Sequence, residues 1–208
     1  MKRWFLFSLV LFCGVAQAAP TPAAPAQTPD ELVRAVTEDV LTAVRNDKDI
    51  QNGNSQKTLA LVNTKVLPAF NFERMTGLAV GRDWNKATPA QKKQLAELFK
   101  DLLVRTYSNA LSQYRDQTVR YKPFAMKAGD TDVLVRTEII KPGNRAIQLD
   151  YNLGLEGKSW KVYDVVVAGV SLVTNYRDTF REEVNKGGID GLVKSLSDKI
   201  KKLDEKKK

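Results

Sequence analysis

The 208-residue sequence contains no histidine. That absence removes histidine-based triads, histidine metal ligands and the usual general base near neutral pH. Cysteine is nearly absent too: the single Cys13 lies within an N-terminal apolar run, so the chain beyond residue 18 has no thiol nucleophile and forms no disulfide. Phosphate-binding loops and dinucleotide fingerprints are missing, and no internal repeat is visible. The one long apolar run, Trp4–Val15, is too short to span a bilayer comfortably.

That run is better explained as export. Lys2 and Arg3 form a charged start, Trp4–Val15 an apolar middle, and Ala16-Gln17-Ala18 an A-x-A cleavage site, so residues 1–18 read as a signal peptide and the mature chain as starting at Ala19. Val10-Leu11-Phe12 lacks the small residues that lipidation of Cys13 would need. A periplasm is the simplest address for such a cysteine-free product. The formal charge of +9 loses two with Lys2 and Arg3. Export argues against nucleic acid as a partner, leaving the excess to solubility or to attraction toward anionic headgroups or acidic protein surfaces. The basic end, where Lys194, Lys199, Lys201, Lys202 and Lys206–Lys208 outnumber Asp198, Asp204 and Glu205, fits either a solvated helix or such docking.

Enzyme chemistry would have to rest on carboxylates: Glu73, Asp83, Glu97, Asp101, Glu138, Asp150, Asp164 and Asp178. No pair of them is marked out by its surroundings as a glycosidase pair would be. Gly169-Val170-Ser171-Leu172-Val173 approximates a nucleophile elbow but lacks its second glycine, and Ser171 has no histidine to activate it. Ser171 therefore reads as a helix N-cap. Asp164, set among Val162, Tyr163, Val165, Val166 and Val167, predicts a buried carboxylate that needs a cation, with Arg74 or Arg177 as candidates. The chain reads as non-catalytic.

Residues 19–27 form a Pro/Ala linker. Thr28-Pro29-Asp30-Glu31 is a capping box with proline at the first helical position; Leu32, Val36, Val40 and Val44 follow, predicting a helix over 29–46. Asn52-Gly53-Asn54 breaks the chain, a second helix runs to Leu67-Pro68, and a short third occupies 72–80. Thr88-Pro89-Ala90-Gln91 opens the longest predicted helix, which if continuous to Tyr114 is roughly 39 Å long at about 1.5 Å per residue. Four strands are predicted at 117–125, 131–140, 145–155 and 158–168, joined by hairpin-length turns. Ile147, Leu149, Tyr151, Leu153 and Leu155 alternate with Gln148, Asp150 and Asn152, so one face is covered and one wet.

The fourth strand runs through Ala168-Gly169 almost directly into a helix that carries Leu172, Val173, Tyr176 and Phe180. Gly187-Gly188 stops that helix, and Ile189–Leu203 forms a last amphipathic one. The fold class is α+β, a four-stranded curved antiparallel sheet covered by several helices in a single domain over 28–203, with a charged tail at 204–208. The wedge where strand and helix diverge holds either core or a ligand.

Pro68-x-Phe70, Arg74-Met75, Gly81-x-x-Trp84-x-x-Ala87, Gln91, Phe99, Leu102-Leu103, Thr106-Tyr107, Tyr114, Trp160-Lys161-Val162-x-Asp164-Val165, Gly169–Val173 and Tyr176-Arg177-x-x-Phe180 occur in that order along the chain. Together they resemble the toluene-tolerance auxiliary family, the MlaC-like periplasmic phospholipid-binding proteins. The resemblance runs from about Asp30 to Leu196 and implies a cystatin-like roll with helices enclosing a lipid cavity. It also implies a carrier that passes phospholipid between an outer-membrane lipoprotein–porin complex and an inner-membrane ABC transporter with an MCE-domain component, maintaining outer-membrane lipid asymmetry.

Exposing the roughly 30 methylenes of two acyl chains costs on the order of 24 kcal/mol at about 0.8 per group, so a carrier needs a sheath rather than a catalytic group or cofactor. The expected walls are Phe70, Met75, Leu78, Phe99, Leu102 and Tyr107 from helices, and Ile147, Leu149, Tyr151, Trp160, Val162 and Val170 from sheet and corner. Arg74, Arg82 and Arg177 are expected near the headgroup. A whole diacyl lipid calls for a cavity approaching ~1,000 Å³. Two other readings fit the same pattern: a binding module for another apolar ligand, and a structural or adaptor protein with a solid core.

Overall fold

The computed structural model of the protein describes residues 27–114 and 116–205. The predicted signal peptide (1–18), the predicted linker up to residue 26 and the last three lysines lie outside the described residues. No helix among the described residues is long and apolar enough to cross a membrane.

Helix α1 spans Pro29–Asn46, its start held by Thr28, whose backbone N–H donates to the Glu31 carboxylate at 2.9 Å. Short helices α2 (Lys48–Gln51) and α3 (Ser55–Leu61) follow, capped by Asp47 and Asn54. The predicted second helix does not run on smoothly to Pro68. It widens into a π turn at Val62–Val66 and tightens into a 3₁₀ turn at Leu67–Ala69, because Pro68 has no N–H to continue the ladder. Helix α4 (Phe72–Val80) and a 3₁₀ turn at Gly81–Lys86 lead to α5 (Pro89–Tyr107).

The capping box of α5 is complete: Thr88 N donates to Gln91 Oε1 at 2.9 Å, and Gln91 N to Thr88 Oγ1 at 3.2 Å. The helix does not reach Tyr114. Beyond Tyr107 the hydrogen bonds tighten to i→i+3, Leu111 N to Ser108 O at 3.1 Å, and the chain turns into the short α6 (Asn109–Ser112).

Among the described residues the sheet holds five strands rather than four, in the order β1-β2-β3-β4-β5, all antiparallel. They are β1 (Thr118–Tyr121), β2 (Asp132–Ile140), β3 (Ile147–Glu156), β4 (Ser159–Val167) and β5 (Val170–Ser171). Ala168 (φ +50) and Gly169 (φ +84) make a two-residue turn with positive φ at both centres, as a hairpin with type I′ twist requires. The chain therefore doubles back, pairing Val167 with Val170, before α7 (Leu172–Glu205) begins. Two residues are too few to show a period, which is why the sequence pattern passes straight from strand to helix.

A bulge in β4 has wider consequences. Asn152 pairs with Asp164 and Leu153 with Val162, so Tyr163 is the extra residue and the alternation reverses across it. Val162 and Val165 join the covered face with Val135, Leu153 and Trp160, and Asp164 turns away. The free edge of β4 is covered by the approach to α4, where Phe70 bridges Val162 and Asn71 N donates to Val162 O at 2.9 Å.

Three apolar clusters result. Helices α4, α5 and α7 form a solid one around Met75, Leu95, Phe99, Leu102 and Phe180. Within it Phe99 meets Tyr176 and Phe180 edge-on at 5.0 and 5.1 Å between centroids. Helix α7 is broken at Gly187 and Gly188 (φ +65), where the sequence predicts a stop, and its second half returns Ile189, Leu192, Leu196 and Ile200 to the same cluster. The second cluster joins the covered sheet face to Val33 of α1; the third joins Val40 and Val44 to Ile50 and Leu61.

Candidate functional site: an apolar cavity

Where these clusters meet, the packing leaves a space. Its main compartment is about 580 Å³. Helix α1 supplies Leu32, Val33, Val36, Thr37, Val40 and Leu41; the sheet supplies Val119, Ile139, Leu149, Tyr151, Val162 and Val167. The ends of α5 and α6 add Tyr107, Ala110, Leu111 and Tyr114 with its preceding loop, and the β5–α7 corner adds Val170, Leu172 and Asn175. A second compartment of about 270 Å³ adjoins it, reaching Val62, Leu67, Phe72, Met75, Leu103 and Val104. Val66, Phe70, Tyr107, Leu111, Val167 and Leu172 line both and so partition the space. This is why the larger compartment falls short of the ~1,000 Å³ expected for one undivided chamber.

Among the described residues, no charged side chain lines either compartment. The few polar groups are neutral, and the phenols of Tyr151 and Tyr121 lie close to Thr37. Burial pushes the Tyr151 phenol up to about 12. Tyr176, in the solid cluster beside Tyr107, is likewise pushed up to about 12, mainly by burial. A wall of this kind offers an apolar body close packing and offers an ion nothing. The lining residues that are themselves exposed, Tyr107, Ala110, Val167, Val170 and Asn175, mark the opening between the end of α5 and the β4–β5 corner.

Two of the carboxylates, Asp164 and Asp150, are buried. Asp164 is buried, but it pairs with neither Arg74 nor Arg177; its Oδ1 accepts from Val173 N at 3.2 Å, at the start of α7. Ser171 Oγ accepts from Thr174 N at 3.0 Å, so the predicted N-cap holds and the same helix end carries two acceptors. Asp150 is buried with Oδ2 accepting from Gln148 at 2.6 Å.

A family model described as MlaC protein matches residues 34–198. The chain belongs to the MlaC family. It is 26% identical over 174 residues to the toluene tolerance protein ttg2D of Pseudomonas putida, covering 83% of this chain and 80% of that one. It is 22% identical over 199 residues to the intermembrane phospholipid transport system binding protein MlaC of Haemophilus influenzae, covering 94% and 92%. Among solved structures it matches the phospholipid-binding protein of Ralstonia solanacearum, determined in complex with a phospholipid, with TM-score 0.79 and 40% identity over 84% of this chain and 98% of that one.

In this MlaC-family chain the predicted wall divides into two groups. Phe70, Met75, Tyr107, Leu149, Tyr151, Val162 and Val170 line the two compartments. Phe99 and Leu102 do not: both are wholly buried in the solid cluster, because α5 packs on α4 and α7 rather than lying across the sheet. Leu78 is on the surface in a cleft with Arg74 and Trp84, Ile147 is exposed beyond the cavity, and Trp160 borders a separate small cleft near Lys65 and Pro68.

None of the three expected headgroup arginines lines the cavity. Arg74 is held on the ring of Tyr163 at 3.6 Å and paired with Asp132, Arg177 donates to Leu78 O at 3.3 Å, and Arg82 is exposed on the 3₁₀ turn after α4. The side of the cavity missed in the sequence is α1, although its stripe Leu32, Val36 and Val40 was the available signal.

Proposed function

We propose that this protein is a periplasmic phospholipid carrier, without catalytic activity, that sheathes acyl chains in the two compartments. The observation that carries the reading is a cavity of about 580 Å³, continued by one of about 270 Å³, with no charged lining residue among the described residues, in a chain 40% identical to a protein solved with a phospholipid bound. Relatives named for phospholipid transport and toluene tolerance support it. The two compartments suit two chains that diverge at the Phe70–Tyr107–Leu172 partition. On this reading the headgroup stays at the opening, beside Asn175 and Tyr107, and no cofactor takes part. The carrier takes lipid from and delivers it to an inner-membrane ABC transporter with an MCE-domain component and an outer-membrane lipoprotein–porin complex.

Organic-solvent extraction of the purified mature protein followed by mass spectrometry tests this. Phospholipid in about equimolar amount is expected. A different apolar compound would reassign the cargo, and an extract free of lipid, from protein that also takes up none from vesicles, would sink the reading.

A further inference from the structure

The two compartments differ in more than volume. Away from the side chains they share, the smaller is bounded by Met75 and Leu103, which also belong to the solid cluster of α4, α5 and α7 and are 1% and 7% exposed. Side chains locked in a packed cluster have no room to retreat, so this compartment ends blind against a fixed floor. The larger is bounded on one side by α1, whose Leu32, Val36, Thr37 and Leu41 line it and are half-buried. Apart from the buried Val33, Val40 and Val44, that helix is held by contacts at the protein surface. Arg34 lies over the Tyr121 ring at 3.9 Å, Asp39 accepts from Lys65 Nζ at 2.8 Å, and Arg45 donates to the Tyr114 hydroxyl at 2.7 Å. Exposed pairs of this kind hold weakly and yield easily.

An acyl chain that outgrows the small compartment meets the packed floor and leaves its surplus methylenes in water at the mouth. A chain that outgrows the large compartment displaces α1 instead. We propose that the small compartment gauges the length of one acyl chain of the cargo, with Met75 and Leu103 as its floor and Val104 on its side wall, while the large compartment accepts chains of differing length and bend. This rests on the carrier reading and adds which phospholipids are carried: those in which at least one chain fits the gauge.

The test loads the mature protein by exchange from detergent micelles holding an equal mixture of synthetic phosphatidylglycerols. All carry one stearoyl chain; the other rises two carbons at a time from octanoyl to stearoyl. Mass spectrometry then compares the retained with the supplied composition. Retention should break at one length and fall beyond it by about fourfold per added methylene, since the micelle covers a group that the protein leaves wet. With the shorter chain held below the break, lengthening the other should cost less than that step. Val104→Phe, a half-buried wall position outside the solid cluster, should move the break to shorter chains, and Met75→Ala to longer ones. Near-ultraviolet circular dichroism checks that each variant is folded; Met75→Ala decides the point if Val104→Phe is not, and the parent series decides it if neither is. A retained composition that tracks the supplied one overturns the proposal. So does a break that stays in place in both folded variants, or one equally steep when the longer chain is extended. Protein that retains none of the series sinks the carrier reading and this proposal with it, whereas a flat profile in loaded protein sinks this proposal alone.

Discussion

Ala168 is the non-glycine residue with positive φ among the described residues, and it occupies the first centre of the turn that folds β5 back on β4. An L-residue in that region carries a cost of about 1–2 kcal/mol, partly offset in alanine by the flexibility a glycine would bring to the unfolded chain. Ala168→Gly should therefore raise stability by up to about 1 kcal/mol in denaturant melts. At Gly154 the sign is opposite: a Cβ there would overlap the Arg74 guanidinium, so Gly154→Ala should dislodge it from Tyr163 and Asp132 and lower the midpoint. In the cavity wall, Leu149→Trp fills ligand space; lipid occupancy should fall while unfolding stays cooperative, whereas overpacking a solid core would cost roughly 1–3 kcal/mol.

The tyrosines give a pH test. Folded Tyr151 and Tyr176 hold their protons to about 12 against an ordinary value of 10.0, so their contribution is whole below pH 10 and is lost as pH rises toward 12. Absorbance near 295 nm should show two phenols that ionise late, and stability should fall across that window. Ionisation of both at pH 10 in the folded protein would contradict the burial described.

At the scale of elements, α7 is the piece with most at stake in its first turn. Ser171 and the Asp164 carboxylate both accept from its leading amides. Ser171→Ala should cost about 1 kcal/mol and leave lipid binding intact. Asp164→Ala should cost more, since it removes a buried, charge-assisted bond, with no effect on cargo identity.

The caps at Thr28, Thr88 and Ser171, the break at Gly187-Gly188 and the alternation in β3 were legible because each is a local pattern that fixes its own conformation. Phe99 and Leu102 were read as cavity wall because helical spacing marks burial and not the neighbour: the same stripe would face a sheet or two helices. Asp164 was misassigned an arginine because the bulge at Tyr163, which reverses the alternation, has no signature in the β-branched run around it. The fifth strand is too short to show a period, the tightening of the chain into α6 leaves the apolar spacing of α5 unchanged, and the α1 side of the cavity is legible in the stripe Leu32, Val36 and Val40.

At the scale of the molecule, α4, α5 and α7 share one apolar cluster while the sheet, α1 and α3 are divided between two others, with the cavity lying along the seam. Ligand in the seam stabilises by mass action, so delipidated protein should melt lower and recover when lipid is restored. Seams also set how a protein comes apart. Amides of Leu95–Leu103 and of Tyr176–Phe180 should exchange with deuterium only through global unfolding, while those of α1 and α3 open first, with a gap between the two groups that closes when lipid is bound. Uniform exchange across both halves, lipid present or absent, would contradict this. A void evolved to hold cargo would thereby also divide the native state into two cooperative units, joined as strongly as whatever fills it.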